Sequence, residues 1–267
     1  MGKTPPLAVL SRFVPHLGRL GRAERWRRMR GRPRIWAHRG ASAHAPENTL
    51  EAFELARTAG ADGIELDVRL DRDGTVVVFH DRTLDRLCGR PGRIEELSAA
   101  ERKTLRVGGA EVPTLEDVFG MLGDLELNVE IKSNQPGRNG ALVEATAKVI
   151  RQSDRADQVL VSSFDPLSLV HFYRLMPDVA LAFLFGADQA IPIRKGWLAR
   201  AMGATVVHPE HTLCTAATVN AWHRSGRPIN AWTVDDPDEM RRLAELGVDG
   251  IFTNDPARAL AVLAPTS

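Results

Sequence analysis

Eight short runs rich in Val, Ile, Leu and Ala, most of them separated by a segment of helical spacing, constrain this chain more than any other feature. The runs are Arg34–His38, Asp62–Val68, Glu126–Ile131, Gln158–Ser162, Val179–Leu184, Ala204–His208, Pro228–Val234 and Gly250–Thr253. Between them lie periodic segments such as Leu50–Ala59, Ala141–Gln152 and Glu239–Leu246. Strand alternating with helix implies parallel strands joined by right-handed crossovers. Eight such units in about 230 residues match the count and size of a (β/α)8 barrel, so an α/β barrel is the expected fold. The 267-residue length, which by itself suggests two domains, suits one such barrel. No apolar stretch reaches the ~18 residues that a membrane-spanning helix needs.

Helix starts support these boundaries. Asp165-Pro166, Asp236-Pro237 and Asp255-Pro256 each place a capping carboxylate before a proline at the first helical position. Asn48 with Glu51, and Ser98 with Glu101, have capping-box spacing. No GxGxxG, GxxxxGK[ST] or GxSxG motif occurs, which removes dinucleotide, P-loop and serine-hydrolase readings.

One segment breaks the alternation. Asp73-Gly74, flanked by Arg69–Arg72 and Thr75–His80, predicts a hairpin with a two-residue turn after the second strand. Centring the pairing on that turn sets His80 opposite Asp67. The polar stretch from about 81 to 113, with one short helix expected at Ala99–Leu105, reads as an insertion over the barrel top without a core of its own.

Strand alternation sends Ile64, Leu66 and Val68 to one face and Glu65 and Asp67 to the other. In a barrel the apolar set lies under the helices, so both carboxylates point into the mouth. The third strand likewise sends Asn128, Glu130 and Lys132 inward. The first strand ends in His38-Arg39-Gly40 and the sixth in His208, at the carboxyl ends where barrel enzymes carry their chemistry. Ionised groups cost several kcal/mol to bury unless paired or metal-bound, so three carboxylates, a lysine and histidines on one rim mark a site. Glu65, Asp67 and Glu130 suit a hard divalent cation such as Mg2+ or Ca2+, with Asn128 a weaker neighbour. Two histidines with Arg39 and Lys132 suit an anionic ester: phosphoryl transfer needs charge neutralisation, a base and an acid.

Ten of the 35 Lys and Arg residues fall within residues 1–34 against one acid, Glu24, so a near-neutral chain carries a +9 leader and a −8 remainder. The near-zero total argues against nucleic acid as a partner. Leu7, Leu10, Phe13, Val14, Leu17 and Leu20 add apolar anchors interrupted by Pro15, and the arginines that follow rule out a signal peptide. Two readings stay open: peripheral contact with an anionic membrane, or a basic tail or helix that plugs the barrel bottom. Cys88 and Cys214 lie far apart, without metal-ligand spacing, which favours a reducing compartment and a cytoplasmic protein.

His38-Arg39-Gly40, Pro46-Glu47-Asn48-Thr49, Gly60-Ala61-Asp62 leading into Ile64–Val68, the Asp73-Gly74 hairpin into His80-Asp81, and Asn128–Lys132 together resemble the glycerophosphodiester phosphodiesterase family. Weaker matches follow at His208-Pro209, Ala231–Val234, Gly250-Ile251 and Thr253–Pro256, so the resemblance spans about Ile35 to Ala259. It implies a TIM-type barrel with a small insertion after the second strand; with the charge split, the chain reads as a basic leader over 1–33 and a barrel domain over 34–267. It further implies that Glu65, Asp67 and Glu130 hold one divalent ion and that His38 and His80 form the acid–base pair. Arg39 and Lys132 would contact phosphate, Glu47 would brace Arg39 or His38, and Trp232 would offer an aromatic contact. His44 reads as a loop residue, and His211 and His223 as surface groups. The implied reaction yields glycerol 3-phosphate and an alcohol from a glycerophosphodiester, with lysophospholipids the alternative substrate that the basic leader favours. A glycoside hydrolase built on paired carboxylates and a non-catalytic lipid head-group sensor are the competing classes.

Overall fold

The computed structural model of the chain describes residues 24–27, 31–133, 139–190, 193, 196 and 199–264. Most of the leader, residues 1–23 and 28–30, therefore lies outside the described residues, and with it the expected membrane contact. Eight parallel strands form the barrel: β1 (Arg34–His38), β2 (Gly63–Leu70), β6 (Glu126–Ile131), β7 (Val159–Ser163), β8 (Ala180–Phe185), β9 (Val206–Pro209), β10 (Asn230–Ala231) and β11 (Gly250–Thr253). The sheet runs β10-β11-β1-β2-β6-β7-β8-β9. Two parallel bridges, Val207 to Ile229 and Glu210 to Trp232, link β9 to β10 and close the seam.

The inside and outside of the sheet follow from alternation. Ile64, Leu66, Val68, Val129 and Ile131 join the outer core under the helices, with Phe53 and Ala56 of α1 (Leu50–Ala59) among their partners. The barrel interior is filled by Trp36, Leu160, Ala180, Ala182, Val206 and Phe252, and Trp26 enters it from below. Trp36 fits because β2 and β11 offer glycines at its sides: a Cβ on Gly63 or Gly250 would come within 2.5 Å and 3.0 Å of its ring. Trp26 is 1% exposed and lies 5.8 Å from Trp36, centroid to centroid. Arg34 holds this stopper by donating to the carbonyls of Arg25 (2.6 Å) and Arg27 (3.3 Å).

Asp165, Asp236 and Asp255 cap α6 (Pro166–Leu175), α8 (Pro237–Leu246) and α9 (Pro256–Val262), each before its proline. Ser98 and Glu101 form the expected capping box on α3 (Ala99–Arg102). Asn48 does not cap α1. Thr49 does, accepting from the Ala52 N–H, and Asn48 turns its amide toward Asp67 instead.

The hairpin differs from expectation by one residue. β3 (Val76–Val78) pairs Val68 with Val78 and Leu70 with Val76, so Phe79, not His80, donates to the Asp67 carbonyl. Asp71 causes the slip. Its carboxylate accepts from the Asp73 and Thr75 N–H groups, widening the turn to three residues with Gly74 at φ 83°. After β3 come α2 (Asp85–Cys88), α3, the small ribbon β4 (Arg106–Val107) and β5 (Ala110–Glu111), and α4 (Leu115–Met121). This segment does own a core, contrary to the sequence reading: Val77, Phe79, Leu84, Ile94, Leu97, Leu105, Val107 and Val112 bury against one another. Two further helices are α5 (Gly140–Gln152) and α7 (Ala216–Arg224). Among the described residues, no helix is long and apolar enough to cross a membrane.

Candidate active site

Strand register assembles the cluster. His38 of β1 pairs with Glu65 of β2, Glu65 with Asn128 of β6, and Asp67 with Glu130. In-register neighbours on parallel strands present their side chains to the same face, so the inward positions converge. Carboxylate oxygens of Glu65, Asp67 and Glu130 lie within 4.8 Å of one another, and all three residues are buried. Lys132 Nζ lies 2.7 Å from Glu130 and 3.2 Å from Asp67. Arg39 donates its backbone N–H to Glu65 (3.0 Å) and places Nε 3.3 Å from Asp67. Asn48 donates to Asp67 at 2.9 Å. Arg39 (φ 57°) and Asn48 (φ 58°) both take the left-handed backbone region, which non-glycine residues seldom occupy outside functional turns.

Two cations do not balance three buried anions. Burial, then the neighbouring charges of Asp67 and Glu130, push the Glu65 carboxyl well above its ordinary range. Burial also raises Glu130, with Lys132 opposing it and Asp67 adding to it. Burial acts on Asp67 as well, but Lys132 and Arg39 outweigh it and keep the group low. A divalent cation relieves this frustration, and an all-oxygen donor set suits a hard ion. The residues fit the group.

The two histidines flank the triad, each with Nδ1 engaged. His38 Nδ1 lies 2.8 Å from Asn254 Oδ1, and His80 Nδ1 lies 2.6 Å from Asp81 Oδ1. Burial, reinforced by the charge of Arg39, lowers His38 from 6.5 to about 4, so its ring is neutral at ordinary pH. The His80 carbonyl accepts from Arg69 Nε (2.9 Å) and Nη2 (2.7 Å), which pins the end of the hairpin to β2.

A cavity of about 240 Å3 opens over this cluster. Its polar lining includes His38, Arg39, Glu65, His80, Glu130 and Lys132; its apolar and aromatic lining includes Phe164, Leu184, Trp232 and Phe252, with His208 and Thr233. Trp232 donates Nε1–H to the His208 carbonyl (2.8 Å) and meets Phe164 edge-on at 5.5 Å. Of its two expected partners Glu47 braces Arg39, accepting from Nη1 at 2.9 Å. His208 is fully buried with Nε2 3.0 Å from the Asn230 amide, and burial pulls its pKa down to about 3. His44 faces Asp255 (3.2 Å), while His211 and His223 are half-buried beside Glu239 (2.6 Å) and Asp249 (2.8 Å).

Sequence reading missed the groups that orient the histidines: Asn254 with Asp235 behind it, Asp81, Arg69 and Arg86. Asp81 and Asn254 sit inside the motif blocks, so adjacency to His80 and to the last strand was the available signal. Arg86 and Asp235 carried none.

The family model described as "Glycerophosphoryl diester phosphodiesterase family" matches residues 38–258. A glycerophosphodiester phosphodiesterase of Caldanaerobacter subterraneus is 36% identical over 236 residues, covering 83% of this chain and 94% of that protein. A crystal structure of a putative glycerophosphoryl diester phosphodiesterase from Silicibacter pomeroyi superimposes with a TM-score of 0.84 at 27% identity, covering 91% of this chain and 96% of that one. An Oleispira antarctica phosphodiesterase, solved in complex with the product sn-glycerol-3-phosphate, gives 0.80 at 27% identity over 86% and 96% of the two chains. Barrel and cavity thus define a hydrolase of the phosphodiesterase class. The chain belongs to the glycerophosphoryl diester phosphodiesterase family.

Proposed function

We propose that this protein hydrolyses glycerophosphodiesters to glycerol 3-phosphate and an alcohol. The observation that carries the reading is one cavity lined by Glu65, Glu130, Arg39, Lys132 and two histidines whose Nδ1 atoms are both engaged, with buried Asp67 converging on the same two glutamates. Glu65, Asp67 and Glu130 would hold one divalent cation, Mg2+ or Ca2+. Bound there, such an ion neutralises charge on the phosphoryl oxygens and orients the diester.

The chain's own groups supply the rest. Asp81 can only accept, so His80 Nδ1 carries a proton and Nε2 is the nitrogen available to substrate. Asn254 donates Nδ2–H to Asp235 and therefore turns Oδ1 to His38, so His38 also keeps its proton on Nδ1 and a lone pair on Nε2. Neutral His38 suits the base: it takes the proton of the attacking oxygen, a water or the neighbouring glycerol hydroxyl, as that oxygen bonds to phosphorus. The hydroxyl route gives a cyclic phosphate that a water then opens to glycerol 3-phosphate. His80, held by Asp81, would give a proton to the leaving oxygen as its bond to phosphorus breaks. Arg39 and Lys132 would hold the phosphate, Glu47 keeps Arg39 in place, and Trp232 with Phe164 would receive the glycerol or the alcohol portion.

A release assay tests this, with glycerophosphocholine and a lysophospholipid side by side and with or without chelator. Release of glycerol 3-phosphate from the soluble diester, lost on chelation and restored by a divalent ion, supports the reading. Turnover of the lysophospholipid alone would move the substrate to the lysophospholipase D class. Full activity after exhaustive chelation would defeat the carboxylate assignment.

A further inference from the structure

Arg86 lies on α2, outside the set of residues that line the cavity, with half of its side chain exposed. Its guanidinium nevertheless makes four hydrogen bonds to two carboxylates. Nη1 donates to Glu47 Oε2 (2.7 Å) and Nη2 to Glu47 Oε1 (2.9 Å). Nε donates to Asp81 Oδ2 (2.6 Å), and Nη2 also reaches Asp81 Oδ1 (2.9 Å). The two oxygens that Nη2 touches are the ones that hold the site: Glu47 Oε1 accepts from Arg39, and Asp81 Oδ1 receives His80 Nδ1. One nitrogen thus closes a chain running Arg39, Glu47, Arg86, Asp81, His80.

The two ends of that chain belong to different elements. Arg39 and Glu47 follow β1, His80 and Asp81 follow β3, and β3 is bonded to β2 and not to β1. Without the guanidinium, two carboxylates would face one another across this gap and repel. An ordinary exposed ion pair is worth little, but a planar fork shared by two carboxylates fixes geometry as well as charge. Hydrogen bonds from Arg86 are also the leading reason that Asp81 is held down to about 2.

We propose that Arg86 is a positioning residue, a strut that sets the spacing between Arg39 and His80 through the carboxylates of Glu47 and Asp81. The inference rests on the hydrolytic reading given above. Arg86 touches no substrate in this scheme; it acts through the two acids.

The test uses the full chain and four proteins: wild type, Arg86→Ala, Arg86→Lys and Arg82→Ala. Arg82 pairs with Glu95 on the same insertion, is not among the residues lining the cavity, and serves as the control. Arg86→Ala is expected to lower kcat on glycerophosphocholine on the order of 10- to 100-fold, the cost of a misplaced reacting group, with a near-unchanged melting temperature. Guanidinium ion at low, non-denaturing concentration should restore part of that loss in Arg86→Ala and do nothing for wild type or Arg82→Ala. Arg86→Lys, which keeps the charge but not the fork, should fall between. Wild-type kcat and KM in folded Arg86→Ala would overturn the proposal. So would a loss of activity that tracks loss of folded protein and resists guanidinium. If wild type hydrolyses no glycerophosphodiester, the hydrolytic reading fails, and the strut is decided by histidine ring NMR at one pH. The His80 signals should then move in Arg86→Ala while those of His211 stay; unmoved His80 signals would refute the strut.

Discussion

Asp235 sets which nitrogen of His38 carries the proton, although the two residues do not touch. Its carboxylate accepts from the Asn254 backbone N–H (2.8 Å), the Asn254 side-chain amide (2.5 Å) and the Thr253 hydroxyl (2.9 Å). The Asn254 amide cannot flip without turning its oxygen onto a carboxylate. Its Oδ1 therefore faces His38 Nδ1, with the Ser42 hydroxyl donating to the same oxygen at 2.9 Å.

Asp235→Asn should release that constraint. A neutral amide tolerates either orientation of Asn254, and the flipped form presents an N–H to His38 Nδ1 and moves the ring proton to Nε2. The loss should fall on kcat more than on KM, up to the ~100-fold or more that acid–base catalysis supplies. Steady-state kinetics on glycerophosphocholine would decide it; a change in KM alone would point to substrate binding instead.

His38→Gln and His80→Gln should each cut turnover on the order of 100-fold or more while keeping divalent-ion affinity, because the proposed ligands are carboxylates. With a p-nitrophenyl leaving group, which needs no protonation, His80→Gln should recover far more than His38→Gln. Recovery in the reverse order would exchange the acid and base roles.

Divalent-ion binding should release protons. Glu65 and Glu130 sit above the ordinary glutamate range in the metal-free protein, so they retain protons that a cation must displace. A raised pKa means that lowering the pH adds competing protons, so affinity should weaken as pH falls and level off above the raised values. Calorimetric titration in two buffers of different ionisation enthalpy reads the release directly. Equal heats in both would remove the coupling, and Glu65→Gln should lose both binding and release.

Trp26→Ala should destabilise the fold by about 3 to 5 kcal/mol, the usual cost of emptying a large aromatic site. Trp26 is 1% exposed and meets Trp36 at 5.8 Å, which in turn stacks on Phe252 at 5.9 Å. Urea unfolding with the midpoint and slope compared to wild type measures it. A change below about 1 kcal/mol would mean that the stopper is peripheral to stability.

Where local chemistry decides structure, sequence was enough. β1, β6, β11 and α1 fall at their expected residues, because branched apolar runs and helical spacing define them, although Thr49 and not the expected Asn48 caps α1. β10 shrinks from seven expected residues to Asn230–Ala231, since Pro228 has no N–H to give and Trp232 is reached only through an isolated bridge. Glu65, Asp67, Glu130 and Lys132 could be chosen from strand parity, which says which side chains face the mouth; His38, Arg39 and His80 followed from strand and hairpin ends, and Glu47 and Trp232 from the family resemblance alone. What parity cannot show is who orients whom. His38 meets Asn254 across 216 positions and Arg86 meets Glu47 across 39, and no local pattern announces such pairs.

The stopper under the barrel changes how the basic leader counts. Arg25 lies 3.4 Å from Glu126 and 3.6 Å from Asp157, Arg27 pairs with Glu24 at 2.7 Å, Arg32 with Asp62 at 2.5 Å, and Arg34 with Glu126. Four of the ten cations are thus already matched within the molecule, and the charge sum overstates what this end can offer to any anionic surface. The same contacts move the edge of the autonomous folding unit upstream of its first strand. A protein begun at Arg34 would open Trp36 to water and leave Arg34 without the carbonyls of Arg25 and Arg27. A truncation that removes Arg25, Trp26 and Arg27 therefore removes part of the barrel's own packing.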